Sequence, residues 1–99
     1  MQPVGGFRIA GDHPSLSGHF PGRPVVPGVV LLDTAFALIL ARRPGCWVMG
    51  IPSVKFTRPV RPGQEVLVSS DEGCGRIAFA CTADGQPVLH GSAVLGDRP

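Results

Sequence analysis

The run Val25-Val26-Pro27-Gly28-Val29-Val30-Leu31-Leu32-Asp33-Thr34-Ala35-Phe36-Ala37-Leu38-Ile39-Leu40-Ala41 constrains this chain more than any other stretch. Proline suits a first helical turn, where its missing N–H would have had no partner anyway. The predicted helix therefore starts at Pro27 or Gly28. Pro44-Gly45 ends it, after Arg42 and Arg43 have complemented the C-terminal dipole. Its residues are apolar nearly all round, and a helix apolar on every side is expected to be buried on every side. Asp33 is the one acid in it. An unpaired buried carboxylate costs several kcal/mol, so such a group is normally neutral, paired or engaged in chemistry. The run is short for a membrane span and is broken by Pro27, Gly28 and Asp33, so a transmembrane helix is not expected.

The rest of the chain changes period. Phe7-Arg8-Ile9 reads as a short first strand after a glycine pair, and Gly11 to Gly18 as a loop. His19 to Val26 reads as irregular but stiff, because each proline fixes its own φ and biases its predecessor toward extended backbone. Beyond the helix, Trp47 to Phe56 reads as a long strand interrupted at Pro52, an edge or bulge position. Three further strands follow at Glu65–Ser69, Arg76–Thr82 and Pro87–Leu95, with Asp84-Gly85 as a two-residue hairpin turn and 96–99 as a frayed tail. One helix wrapped by a curled antiparallel sheet of about five strands is the economical α+β solution for a single domain over residues 1–99. One small sheet cannot cover such a helix on all sides, so a second copy is expected to close over it.

Composition agrees with that expectation. Charged residues make up 16% of the 99 residues, low against the usual quarter, as if part of the surface were covered by another subunit. The net charge of +2 is too mild to argue for nucleic acid. Its distribution is uneven: Arg42, Arg43, Lys55, Arg58 and Arg61 lie in a stretch with no acid between Asp33 and Glu65. That band is either a solvated face or a docking patch for an acidic partner. Three cysteines, Cys46, Cys74 and Cys81, without CxxC spacing argue against a disulfide framework or a zinc site and suit a reducing cytosol. The opening residues carry neither the charged nor the apolar region of a secretory signal, so a cytoplasmic location is expected. His13 and His90 read as structural, Cys74 and Cys81 as hairpin or core thiols, and Leu31, Phe36 and Leu38 as core.

His19, Gly28 and Asp33 together meet the needs of an α,β-elimination on a thioester. The enolate oxygen needs N–H donors, which a helix N-terminus at Gly28 provides without a Cβ in the way. The α-proton needs a base, for which an imidazole such as that of His19 is suited near neutral pH. The departing β-hydroxyl needs a proton, and a carboxyl in an apolar site has a reason to hold one.

The run His19-Phe20-Pro21-Gly22-Arg23-Pro24-Val25-Val26-Pro27-Gly28, with the acid fourteen positions after the histidine, resembles the active-site motif of hot-dog-fold β-hydroxyacyl-acyl-carrier-protein dehydratases. Val54-Lys55-Phe56-Thr57-Arg58-Pro59-Val60-Arg61-Pro62-Gly63 is similar to a second, strand-and-turn segment of that family. The resemblance implies a hot-dog fold and dehydration of 3-hydroxyacyl thioesters to trans-2-enoyl thioesters. It implies a homodimer, or a higher oligomer, whose sites pair His19 of one chain with Asp33 of the other. The Gly28 N–H would bind the thioester carbonyl, with Val29, Phe20 and Pro27 beside the substrate. No metal or resident cofactor is implied. The substrate would ride on a phosphopantetheine arm of an acyl carrier protein or of coenzyme A, the basic band serving carrier docking. The acid is aspartate, as in the dehydratase–isomerase branch, whereas the His-Phe-Pro-Gly wording is that of the glutamate branch. The chain looks most similar to small dehydratase-like proteins of aryl-polyene or pigment synthesis. An acyl-thioesterase of the same fold, in which Asp33 directs water, and a non-catalytic acyl-binding subunit are the alternatives.

Overall fold

The computed structural model describes residues 1–12 and 25–98. His13, Pro14, His19, Phe20, Pro21 and Pro24 lie outside them. Five strands and one helix follow in the order β1 (Gln2–Phe7), α1 (Gly28–Ala41), β2 (Cys46–Phe56), β3 (Val66–Ser70), β4 (Gly75–Ala83) and β5 (Gln86–Asp97). All pairings are antiparallel, and the sheet order is β1-β3-β4-β5-β2. This is the helix-on-sheet α+β layout read from the sequence.

Alternation decides which face of each strand meets the helix. Along β4, Ile77, Phe79, Cys81 and Ala83 are buried while the residues between them are not. Val66, Val68 and Ser70 do the same on β3, and Val88, Leu89, Ala93 and Leu95 supply the core from β5. From the helix, Leu31, Ala35, Phe36 and Ile39 point into this layer. The Phe36 and Phe79 rings meet edge-to-face with centroids 5.0 Å apart, a geometry that adds about 0.5–1.5 kcal/mol beyond area burial. Cys81 is part of this core, as expected of it.

Several expectations are corrected. The first strand is not Phe7–Ile9 but Gln2–Phe7, with the glycine pair inside it. Its pairing with β3 slips between Pro3 and Gly5, and Gly5 takes φ 143°, so these glycines serve a bulge and not a boundary. The sequence leaves open the partner of the strand after the helix. β2 crosses to the far edge and pairs with β5. The chain from Gly96 does not fray at once: Asp97 closes β5 opposite Cys46, and the Arg98 N–H donates to the Gly45 carbonyl at 2.8 Å. The break in β2 falls where Pro52 predicts, its register shifting between Gly50 and Ser53. The Asp84-Gly85 turn is also as read, with φ of 52° and 75°.

The cover over α1 is as expected of one small sheet. In the single chain only one side of it is buried. Val29 is 67% exposed, and Asp33 and Ala37, each one turn further on, are exposed as well. Asp33 is therefore not a core acid of one protomer. It sits in an open row beside apolar neighbours. The helix is apolar all round, but a five-stranded sheet reaches only one flank. Ile39, fully buried, tests that division: Ile39→Ala should lower the unfolding free energy by about 2–5 kcal/mol in urea titration.

Candidate functional site

The first turn of α1 has no side-chain cap, and Pro27 stands at its N-cap. The Val30 and Leu31 N–H groups both turn back to the Pro27 carbonyl, at 3.0 and 3.3 Å. Those of Gly28 and Val29 are then the outermost donors, with no intrahelical acceptor in reach. The approach to this end is fixed from the other side by Val26, whose N–H donates to the Val60 carbonyl at 2.8 Å. Val60 itself is buried.

A cavity of about 450 Å³ opens at this end of the helix, lined among others by Val25, Gly28, Leu31, Phe56, Arg58 and Val60. Its wall is mostly apolar, and the helix N-terminus, Thr57 and Arg58 are its polar features. Both sequence segments quoted above thus meet in one place: Val25 to Gly28 from the first, Phe56 to Val60 from the second. In the sequence Phe56 reads as part of a strand and of the second family-like segment, without a contact of its own. A Cβ at position 28 would lie 2.7 Å from its ring, so the ring sits directly on the Gly28 backbone. Half-exposed Phe56 shields the first turn and leaves a face for a ligand. The signal was the pairing of a glycine at a helix start with an aromatic in the later segment, which no periodicity reveals.

Asp33 lies beyond the first turn, on the open row of α1 that begins with Val29. His19 and Phe20 fall outside the described residues, so the spacing between His19 and Asp33 is not among the distances that define the site.

The basic band does not form one patch. Arg58 lines the N-terminal cavity, with Lys55 and Arg61 close in sequence and all three exposed. Arg42 and Arg43 stand at the opposite end of α1, a helix of fourteen residues and so about 21 Å long. Arg43 is moreover spent on structure: Nη1 donates to the Ile39 carbonyl at 2.9 Å, Nε to Gly73 at 2.7 Å and Nη2 to Asp71 at 2.5 Å. Lys55, Arg58 and Arg61 are thus the cations of the band near the cavity, and Arg42 and Arg43 lie at the other end of the helix. His90 is exposed on β5, opposite Lys55 on the neighbouring strand. Among the described residues, no helix is long and apolar enough to cross a membrane.

Comparison with known proteins adds to this geometry. Residues 3–92 match the profile of the ApeI-like family, described as ApeI dehydratase. A 3-hydroxyacyl-[acyl-carrier-protein] dehydratase FabZ of Herpetosiphon aurantiacus is 38% identical, over 96% of this chain and 77% of its own length. The FabZ of Thermus thermophilus is 32% identical over 76% of this chain, a match that spans only 63% of that enzyme's length. Among solved structures, the dehydratase heterocomplex ApeI:P from Xenorhabdus doucetiae superimposes with a TM-score of 0.76 at 26% identity, covering 99% of this chain and 100% of that one. A Thermus thermophilus thioesterase complexed with coenzyme A and zinc shares the fold at a TM-score of 0.63 and 20% identity. The fold is the hot-dog fold, with its sheet left open.

The Gly28–Phe56 contact yields a double-mutant test. Gly28→Ala should cost about 1–3 kcal/mol by forcing the ring away, and in the Phe56→Ala background most of that cost should vanish. Additive losses in thermal denaturation would contradict the contact.

Proposed function

The chain belongs to the ApeI-like dehydratase family, and from that membership we propose that it dehydrates 3-hydroxyacyl thioesters to trans-2-enoyl thioesters, with the substrate carried on the phosphopantetheine arm of an acyl carrier protein. One observation carries the reading: an uncapped helix N-terminus faces an apolar cavity, and an acid lies on the same helix one turn in from its exposed first residues. The Gly28 N–H, reinforced by Val29, receives the thioester carbonyl. As the α-proton leaves, charge builds on that oxygen, where fixed donors and the helix dipole stabilise it most. His19 takes the proton. Asp33 gives one to the β-hydroxyl, which departs as water, and the double bond forms between the α- and β-carbons. Phe56, Phe20 and Pro27 hold the acyl arm beside the helix.

A carboxyl that holds its proton near neutral pH needs to be out of water. In the single chain Asp33 is exposed, and this supports a site completed by a second subunit laid over the Val29–Asp33–Ala37 row. The sheet edge at β2 favours the same assembly, since Trp47, Met49 and Ile51 are exposed large apolar residues on an edge strand. In that dimer His19 of one chain serves Asp33 of the other.

His19→Ala and Asp33→Ala should each lower enoyl formation at least about 100-fold. Mixing the two inactive variants should restore part of the activity, because one of the two shared sites then keeps both residues. Full activity of either variant removes the proposal, and failure of the mixture to recover removes the shared site. Enoyl absorbance and free thiol are followed together; thiol release without enoyl product identifies a thioesterase instead. For carrier docking, Arg58→Glu with Arg61→Glu should raise KM for a carrier-bound substrate more than for a coenzyme A thioester. Equal effects would assign these cations to a solvated face.

A further inference from the structure

At the opposite end of α1, two thiols far apart in sequence are brought into contact. Cys46 opens β2 and Cys74 immediately precedes β4, yet their Sγ atoms are 3.2 Å apart. We propose that Cys46 and Cys74 form a reversible intrachain disulfide that staples the α1–β2 corner to the β3–β4 turn, with a small-molecule disulfide such as oxidised glutathione as the oxidant.

Both backbones are already held. The Cys46 N–H donates to the Arg43 carbonyl at 3.0 Å, and the adjoining Gly45 carbonyl accepts from the Arg98 N–H. On the other side the Asp71 N–H donates to the Ala78 carbonyl at 2.9 Å, and the Ala78 N–H donates to Asp71 Oδ2 at 3.0 Å. Arg43 ties the two corners together through the Ile39, Gly73 and Asp71 carbonyls. The thiols therefore meet without a search, and a covalent S–S bond of about 2.0 Å asks only that they close by about 1.2 Å.

The site is also open to a reagent. Cys46 and Cys74 line a cavity of about 420 Å³, Cys74 is exposed and Cys46 is half-buried. The order of events follows from these differences. The Cys46 thiol is held above its ordinary range, first by its hydrogen bond with Cys74, so exposed Cys74 is the sulfur that attacks. Its thiolate displaces one glutathione from the disulfide and leaves Cys74 as the mixed disulfide. Cys46 then loses its proton, attacks the Cys74 sulfur and releases the second glutathione. Two protein thiols are oxidised, one glutathione disulfide is reduced to two glutathiones, and the two protein protons end on them.

A metal is the rival occupant, since the Asp97 carboxylate falls in the same cluster. Two features disfavour it. The Arg43 guanidinium acts on Cys46 through its charge and would repel a divalent cation. Two thiolates on one tetrahedral zinc also stand about 3.8 Å apart, further than the observed contact.

The third cysteine is a built-in control. Cys81 is buried in the core on β4, and burial pushes its thiol up to about 12. The reduced wild-type chain, incubated with oxidised glutathione, should become two hydrogens lighter with no glutathione adduct, and peptide mapping should join Cys46 to Cys74. Its melting temperature should rise by about 5–15 °C and fall back on adding dithiothreitol. Cys81→Ser should keep both effects, and Cys46→Ser and Cys74→Ser should each abolish them. A lasting glutathione adduct, a disulfide between chains, unchanged mass or an unchanged melting temperature overturns the proposal without recourse to any variant. So does one equivalent of added Zn²⁺ that stays bound through dialysis and blocks oxidation.

Discussion

The contact of one helix flank with one sheet face sets the rest of this molecule. Leu31, Ala35, Phe36 and Ile39 share one core with the buried residues of β3, β4 and β5, and the Phe36–Phe79 pair joins the helix to the middle strand of the sheet. Once α1 is laid there, its two ends are committed. The N-terminus arrives against Val60 and Phe56, where the backbone is bare at Gly28 and the cavity opens. The C-terminus arrives at the β3–β4 turn, where Arg43 gathers carbonyls from both sides. Burying the inner flank also leaves the outer one uncovered, because an α-helix apolar all round has more apolar surface than a five-stranded sheet can reach.

Much of this was legible in the sequence for reasons of period and punctuation. The long apolar run between Pro27 and Pro44-Gly45 had no other reading than a helix. Asp84-Gly85 marked a two-residue hairpin, and Pro52 marked an interruption in an edge strand. What escaped has physical causes. Strand partners are chosen by the sheet as a whole, so nothing local in Trp47 to Phe56 said that it would pair with the last strand and not with the next. The glycine pair at Gly5-Gly6 looked like a boundary because a bulge needs the same residue as a turn does. Asp33 was placed in a core because a sequence does not tell which side of an apolar helix its own chain will cover.

The site shows the same division. The two matching segments were readable, and the fold brings Val25–Gly28 and Phe56–Val60 to one cavity. That Phe56 should rest on Gly28 was not readable, since residues so far apart in sequence report nothing of their contact. The basic band failed as one patch because neighbours in sequence were sent to opposite ends of a helix. The cysteines show the converse: spacing that excluded a framework says nothing about two thiols carried to one corner by a strand and a distant turn.

The open row of Val29, Asp33 and Ala37 has a thermodynamic consequence. Whatever covers it binds the folded chain and finds no equivalent surface on the unfolded one, because the row exists only once α1 is formed and seated. Folding and association are then linked by mass action, and the free energy of unfolding becomes a function of how much partner is present. With a core limited by its surface-to-volume ratio, a partner that covered the row would add to stability as directly as a larger core would.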